Sequence, residues 1–304
     1  MENGRINVVT GAFGFTGKHI TKRLLDMGEE VRTITGHPER PGEFGGRVKA
    51  YPYNFNKPEQ LTESLRGADT LYNTYWVRFD HGSVTFGSAV ENSRTLIKAA
   101  QNAGVRRIVH VSICNPSENS TLPYYRGKAE VEKIIKTSKL SYTILRPTVL
   151  FGDQGILINN IAWFLRKLPV FAVPGSGEYE LQPIYVEDLA DLAVEWGHRD
   201  ENIVLDAVGP ETYSFNALVK LIAEKIGSNA VIMHVSPVMA LVGTGMLGKI
   251  VGDVVLTRDE IEGLEANLLV SDDEPLGKTS FKQWLSDNAE WLGQRYFSEV
   301  KKHF

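Results

Sequence analysis

The stretch Val8-Val9-Thr10-Gly11-Ala12-Phe13-Gly14-Phe15-Thr16-Gly17-Lys18 constrains the fold more than any other part of the chain. Ile6 to Val9 is a short apolar run that reads as a buried strand. It breaks on a glycine turn and leads into His19-Ile20-Thr21-Lys22-Arg23-Leu24-Leu25, whose apolar residues have helical spacing. The glycines at 11, 14 and 17 stand where a strand-turn-helix needs them to receive a diphosphate. One lets the chain turn sharply, one lets backbone approach the phosphates, and one lets the helix pack on the strand. The positive end of the helix dipole and its unpaired N–H groups then face the anion. Glycine triplets alone are common, but a strand before and a helix after this one favour a dinucleotide site over a plain tight turn.

From there strand and helix alternate. Val31 to Thr35, Val48 to Tyr53, Thr70 to Asn73, Ile108 to Ser112 and Ser141 to Leu145 read as further strands. Pro58 to Arg66, Ser88 to Asn102 and Lys128 to Thr137 read as helices between them. Such alternation predicts an α/β fold, a Rossmann-like doubly wound parallel sheet with helices on both faces. Right-handed crossovers would align the ends of strands one, four, five and six along one ligand-binding edge. Residues 1–150 are expected to form this dinucleotide-binding domain, with a strand returning to it near Ile203 to Ala207. After Phe151 the pattern loosens into a loop-rich stretch around Pro169, Pro174, Gly175 and Gly177, and helical runs dominate from Phe215. Residues 151–304 are expected to make a smaller, mostly helical substrate lobe.

Composition narrows the function classes. With 42% hydrophobic and 23% charged residues, a chain of 304 has ample material for a core. A formal net charge of −4 gives no argument for a nucleic-acid or anionic-membrane partner. The lone cysteine, Cys114, excludes an internal disulfide and fits a reducing compartment. Residues 1–5 are polar and the first apolar run is short, so no signal peptide is expected and the protein reads as soluble and cytoplasmic. The histidines show no paired spacing, so no metal site is expected.

The end of the second strand bears on the choice between NAD and NADP. An acidic side chain about twenty residues past the glycines would bind the ribose 2′-hydroxyl. Here the chain reads Thr35-Gly36-His37-Pro38-Glu39-Arg40, with no carboxylate at the strand end. Past Gly36, His37 and Arg40 could meet a 2′-phosphate, so NADP(H) is the expected cofactor. NAD(H) stays open, and a plain solvated turn is the competing reading. A second constellation is Tyr124-Tyr125-Arg126-Gly127-Lys128. Tyrosine and lysine four apart lie on one face of a helix. A nearby ammonium favours phenolate, lowering a tyrosine pKa from ~10 toward a range useful for acid–base work. The alternative is an ordinary helix start with a surface lysine. Position after the fifth strand, where such a sheet would meet a nicotinamide, favours the catalytic pair.

Four stretches together carry a likeness: Thr10 to Gly17, Tyr124 to Lys128, Leu145-Arg146-Pro147-Thr148-Val149-Leu150-Phe151-Gly152, and Gln182-Pro183-Ile184-Tyr185-Val186-Glu187-Asp188-Leu189-Ala190. They resemble the short-chain dehydrogenase/reductase superfamily in its extended or atypical branch. Within that branch the chain is similar to NAD(P)-binding proteins related to the 39-kDa accessory subunit of respiratory complex I. That likeness continues through Val255 to Ile261 and Leu268 to Asp272.

The resemblance implies individual roles. Gly11, Gly14, Phe15, Thr16 and Gly17 would hold the diphosphate. Asn54 stands where relatives often carry Asp against the adenine, and Thr74 and Tyr75 would pass along the cofactor. Lys128 would bind the nicotinamide ribose and tune Tyr124, while Pro147 and Val149 would approach the carboxamide. Two departures matter. Relatives commonly place Ser or Thr just after the fifth strand to hold the substrate carbonyl. Val111-Ser112-Ile113-Cys114 puts Ile113 there, with Ser112 one residue early and counted among the cofactor contacts. A missing hydroxyl removes one oxyanion donor, typically worth ~3 kcal/mol. Asn92 is also slightly off the register of a helix asparagine that would carry a proton-relay water.

Gly243-Thr244-Gly245-Met246-Leu247-Gly248 matches Gly-x-Gly-x-x-Gly as well, but no Val/Ile-rich strand opens a crossover there. It reads as a glycine-broken helix pair. Pro237 to Leu256 around it is mostly apolar, yet its glycines, Lys249 and Asp253 argue against a spanning helix, which wants about 20 apolar residues. A pocket wall or an interfacial patch is expected instead. The functional expectation is an NADP(H)-dependent oxidoreductase that passes hydride to a carbonyl, quinone-like or similar small substrate, with Tyr124 as acid/base and Lys128 as its tuner. A catalytically weak or inactive dinucleotide-binding structural or regulatory protein is the alternative, favoured by Ile113. A sugar-nucleotide epimerase or dehydratase is a further one, for which no clear basic cluster offers a second diphosphate site.

Overall fold

Val8, Val9 and Thr10 are fully buried, as a strand must be when helices cover both faces of its sheet. They belong to β1 (Ile6–Thr10), central to the first of two compact units into which the chain divides. The computed structural model describes residues 5–39 and 43–300. The first unit is Met1–Pro147 with Val186–Asp206, and the second is Thr148–Tyr185 with Ala207–Phe304.

From β1 the chain runs through α1 (Phe15–Asp26), β2 (Glu30–Thr35), β3 (Lys49–Pro52), α2 (Pro58–Leu65), β4 (Thr70–Asn73), α3 (Phe86–Ala103), β5 (Arg107–Val111), α4 (Pro123–Lys136) and β6 (Ser141–Pro147). It then enters the second unit for β7 (Leu150–Phe151), α5 (Ile156–Lys167), β8 (Val170–Pro174), β9 (Glu180–Leu181) and β10 (Ile184–Tyr185). It returns to the first for α6 (Val186–Gly197) and β11 (Ile203–Ala207). The rest is β12 (Tyr213–Ser214), α7 (Phe215–Ile226), β13 (Val231–Val235), α8 (Pro237–Val251), α9 (Arg258–Glu265) and α10 (Phe281–Asn288).

The first unit holds the Rossmann-like sheet that the strand–helix alternation predicts. Its order is β11-β6-β5-β4-β1-β2-β3, with parallel ladders joining β6 through to β3. The chain winds outward from β1 to β3 and resumes on the other side with β4. The order therefore reverses between β1 and β4, the switch point beyond whose strand ends such sheets bind ligands. Val8, Ile34, Leu71, Ile108 and Ile144 pack with Leu96, Ile97, Val131 and Ile135 into one core. Helix α4 starts at Pro123, five residues before its apolar spacing becomes evident, because proline needs no amide partner in a first turn.

Charged ties hold the returning segment. Arg107 is fully buried; its Nε donates to Trp196 O at 2.8 Å and an Nη to Glu201 O at 2.9 Å, with further bonds to the Ser141 and Thr143 hydroxyls. Arg106 pairs with Asp69 and Asp200, and Arg23 of α1 pairs with Glu187 and Asp191 of α6.

In the second unit three small sheets pair β7 with β10, β9 with β12 and β8 with β13. Their core contains Phe151, Phe281, Trp284, Leu218 and Ile222. Two sequence expectations are corrected here. The loop-rich reading near Pro169 and Pro174 conceals a strand, because those prolines bracket β8 rather than interrupt it. The glycine-broken helix pair is one continuous helix, α8. Ser236 accepts from Met239 N at its start, Pro237 occupies the first turn, and Gly252 closes it at φ +66°. Caps at both ends offset the low helix propensity of its glycines. Among the described residues no helix is long and apolar enough to cross a membrane.

Arg107→Met should strand the Trp196 and Glu201 carbonyls without a donor. The expected loss is about 3 kcal/mol or more, read as a lower urea midpoint at unchanged slope.

Candidate active site

The glycine loop is built by close approach. Gly11 takes φ +65°, a left-handed conformation suited to glycine. Its N–H donates to Ile34 O at 2.9 Å, and Gly14 N donates to Gly11 O at 2.8 Å. A Cβ added to Gly17 would lie 2.2 Å from Gly11 O, so the first turn of α1 packs directly on loop backbone. Threonines fix the flanks. Ala12 N donates to the Thr33 hydroxyl, which donates to Val9 O. Thr74 N donates to the Thr10 hydroxyl at 2.7 Å, and the Thr74 hydroxyl donates to Thr10 O at 2.6 Å.

Helix α1 has no side-chain bond at its N-cap, Gly14, and no acidic residue in its first turn. Gly14 thus offers these leading N–H groups no side chain of its own, while the helix dipole adds a positive field. This cradle, which a Cβ would fill, fits a dinucleotide diphosphate. Phe15 and Thr16 lie in that first turn and are half-buried.

Past β2, Gly36 and His37 are exposed, and Arg40 lies outside the described residues. A Cβ on Gly36 would stand 3.6 Å from the Tyr53 ring. Tyr53 stacks on Phe55 at 4.9 Å between centroids, and Tyr75 meets both rings at 5.1 Å. Asn54 adopts φ +47° just past β3, and its carbonyl accepts from Lys57 N. Asn92 Nδ2 donates to the Tyr75 hydroxyl at 2.9 Å, so this asparagine holds an aromatic cluster. Burial pushes the Tyr75 phenol up, with the Asn92 bond opposing.

Tyr124 and Lys128 lie one turn apart on α4. Tyr124 is half-buried, with its ring edge-on to Trp76 at 5.9 Å, Phe86 at 5.8 Å and Tyr125 at 5.6 Å. Lys128 is 3% exposed; its Nζ donates to Val111 O at 2.9 Å and lies 4.7 Å from the Trp76 ring centre. Burial lowers the Lys128 pKa to about 7, with Glu132 opposing. Gly127 makes room for the indole, since a Cβ there would come within 2.9 Å of Trp76.

Ser112 turns inward. It is buried, and its hydroxyl donates to Glu132 at 2.7 Å, so the hydroxyl is engaged on the α4 side rather than offered at the strand end. The same carboxylate accepts from Arg146 Nε at 2.9 Å, Arg146 Nη2 at 2.6 Å and Lys136 at 3.0 Å. Burial raises the Glu132 pKa, but Arg146 and Ser112 outweigh it and leave the carboxyl below its usual range. Ile113 is buried and apolar. Pro147 closes β6 in the first unit; Val149 belongs to the second, where its carbonyl accepts from Ile184 N.

Sequence reasoning missed Glu132 and His110 near this pair, and it marks Trp76 only as lining for an apolar substrate pocket or packing under the second lobe. Glu132 follows Lys128 at helical spacing, a signal open to view, but its partner Arg146 is distant in sequence. Trp76 covers the lysine. His110 is fully buried, with Asn73 Nδ2 3.1 Å from its Nδ1 and no hydrogen-bond partner at Nε2 among the described residues. Burial, assisted by Lys128, holds its pKa near 3, so it is neutral.

The lysine has a thermodynamic signature. Between about pH 7 and about pH 10 the unfolded chain keeps a proton on Lys128 that the folded chain has released, so stability rises with pH there. Thermal melts across that window should rise for the wild type and be flatter for Lys128→Met.

Residues 11–160 match a family model described as NAD(P)H-binding. The NADH-ubiquinone oxidoreductase 40 kDa subunit of Neurospora crassa is 23% identical over 268 residues, covering 85% of this chain and 70% of that one. The aligned part covers only 58–61% of the NADH dehydrogenase [ubiquinone] 1 alpha subcomplex subunit 9 proteins of Arabidopsis thaliana and Rattus norvegicus, at 22% and 26% identity. A photosystem II assembly factor, Ycf39 of Guillardia theta, is 26% identical over 77% of this chain and 74% of its own. Among solved structures, a Citrobacter triphenylmethane reductase superposes with TM-score 0.76 at 18% identity, over 93% of this chain and 99% of that one. An Escherichia coli NADPH-dependent quinone oxidoreductase complexed with NADPH gives 0.75 at 19% identity, over 93% and 98%. Residues 11–160 thus form an NAD(P)-binding domain, in a chain homologous to the 39/40-kDa subunit of respiratory complex I.

Proposed function

We propose that this chain is an NADP(H)-dependent oxidoreductase of the atypical, extended short-chain dehydrogenase/reductase type, acting on a carbonyl or quinone-like small molecule. The observation that carries this reading is the Tyr124–Lys128 pair on α4, with the lysine buried beneath Trp76. Gly11, Gly14, Phe15, Thr16 and Gly17 would hold the diphosphate, and Lys128 the nicotinamide ribose. The reduced dinucleotide, when bound, supplies hydride.

The chain's own part is the proton. Tyr124 gives its phenolic proton to the substrate oxygen as negative charge develops there. Lys128, when charged, stabilises the phenolate left behind. Trp76, Phe86 and Tyr125 around the phenol offer apolar faces that suit a flat aromatic or quinone-like acceptor. The reductase folds of the Citrobacter and Escherichia coli neighbours support this substrate class. With Gly36 rather than a carboxylate at the end of β2, and Gly36 and His37 exposed there, the strand end supports NADP(H) over NAD(H).

A second reading has its own observation. With Ser112 engaged by Glu132 and Ile113 apolar, no hydroxyl follows β5 to hold a carbonyl oxygen. That arrangement favours a dinucleotide-binding structural protein, in line with relatives named as a respiratory-complex subunit and an assembly factor.

Tyr124→Phe separates the two. In a reductase, NADPH affinity by fluorescence titration stays near wild type while turnover of a quinone or carbonyl falls about 10²-fold or more. A binder would show no turnover to lose. The same titration should give tighter binding of NADPH than of NADH, and equal affinities would overturn the cofactor preference.

A further inference from the structure

Exposed large apolar side chains are concentrated in one part of the second unit. Five lie on α8: Val238, Met239, Val242, Met246 and Ile250, each 55–79% exposed. A surface helix normally turns a polar face to water. Here only Ala240 is buried, and positions 238, 242, 246 and 250 recur along an exposed, apolar side. Helix α8 packs against β8, whose register with β13 sets Val170 beside Val231 and Ala172 beside Met233. All four of these strand residues are exposed as well.

Charge on α8 itself is one-sided, while the Glu265 carboxylate borders Gly175 at the end of β8. Neither 154–177 nor 225–252 contains an Asp or Glu. Lys249 is exposed on α8, and Lys167 is exposed three residues before β8. The nearest acid after α8, Asp253, is turned to its own unit, where it accepts from Tyr296 Oη, Glu299 N and Val300 N.

We propose that this face docks on the surface of an anionic lipid bilayer. A second copy packed α8 on α8 would bury Lys249 against a helix that carries no carboxylate, leaving an unpaired charge. A bilayer accepts the same composition without that cost. The valine, isoleucine and methionine side chains enter the interfacial region, and the lysine stem runs along it so that its ammonium reaches lipid phosphate. At 15 residues, about 22 Å, α8 is too short to span and would lie along the surface. The protein's overall negative charge does not oppose this, because charges beyond about 10 Å are screened at ordinary salt.

Flotation of the full chain with vesicles provides the test. Wild type should float with phosphatidylcholine vesicles containing phosphatidylglycerol, and less with phosphatidylcholine alone. Val242→Asp/Met246→Asp should abolish flotation, and Lys249→Glu should weaken it about 5-fold or more on the mixed vesicles. All these side chains are exposed, so both variants should keep wild-type melting curves and NADPH affinity. Failure of the wild type to float overturns the proposal, as does a Val242→Asp/Met246→Asp variant that floats unchanged. A wild type that sediments as a dimer, is dissociated by that double variant and ignores vesicles would assign the face to a second copy instead.

Discussion

How closely α1 approaches the end of β1 governs the rest of the first unit. A Cβ at position 17 would overlap the Gly11 carbonyl, so the helix can start this near the strand only with glycine there. That contact brings the leading amides of α1 to the switch point between β1 and β4. Both neighbouring strands then hold the loop in place. Thr33 of β2 bonds Val9 and Ala12, while Thr74, just past β4, bonds Thr10 through its amide and its hydroxyl. The anion cradle is therefore fixed by the sheet before any ligand arrives, and little ordering free energy has to be spent on binding.

A second constraint is electrostatic and lies between β5 and α4. Glu132 collects donors from Ser112, Arg146 and Lys136, so its charge is largely answered before Lys128 can use it. Lys128 keeps one carbonyl and the face of an indole, and burial pulls its pKa down to about 7. The same arrangement explains the inward Ser112 hydroxyl. Sequence reasoning saw the missing hydroxyl at Ile113; the carboxylate that claims its neighbour is visible only once α4 packs on β5.

The sheet was legible because its strands are buried on both faces and so read as apolar runs, from Val8-Val9 to Ile108-Val109. Helix α4 began earlier than its periodicity suggested, since Pro123 marks a start that apolar spacing does not. The second unit was less legible for a physical reason: two-residue strands such as β7 and β9 leave no alternation to detect, and β8 is bracketed by prolines. Gly243 and Gly245 misled in the other direction. Local propensity argued for a break, yet Ser236 and Gly252 cap one helix across them. In the candidate site, the glycine loop and the Tyr124–Lys128 spacing were readable because each is local. Glu132 had a local signal in its spacing from Lys128, but its pairing with Arg146, and Trp76 over Lys128, join distant segments.

The balance between reductase and structural binder comes down to what a buried lysine is for. An ammonium under an indole, with a single carbonyl acceptor, is destabilising, and a methionine would fill similar space without that cost. A dinucleotide cradle alone does not require it, since the diphosphate is met by backbone amides on α1. A general acid on the same helix face does, because phenolate forms in that apolar setting only beside a cation that can be present near neutral pH. Trp76 serves the same end. It excludes water from the lysine while leaving the ammonium the ring's negative face, so the charge is weakened but not forbidden. The inward Ser112 removes one donor from the reaction. On the proposed reading the lysine and indole would keep Tyr124 poised as proton donor, and that retained cost is what favours it over a structural binder.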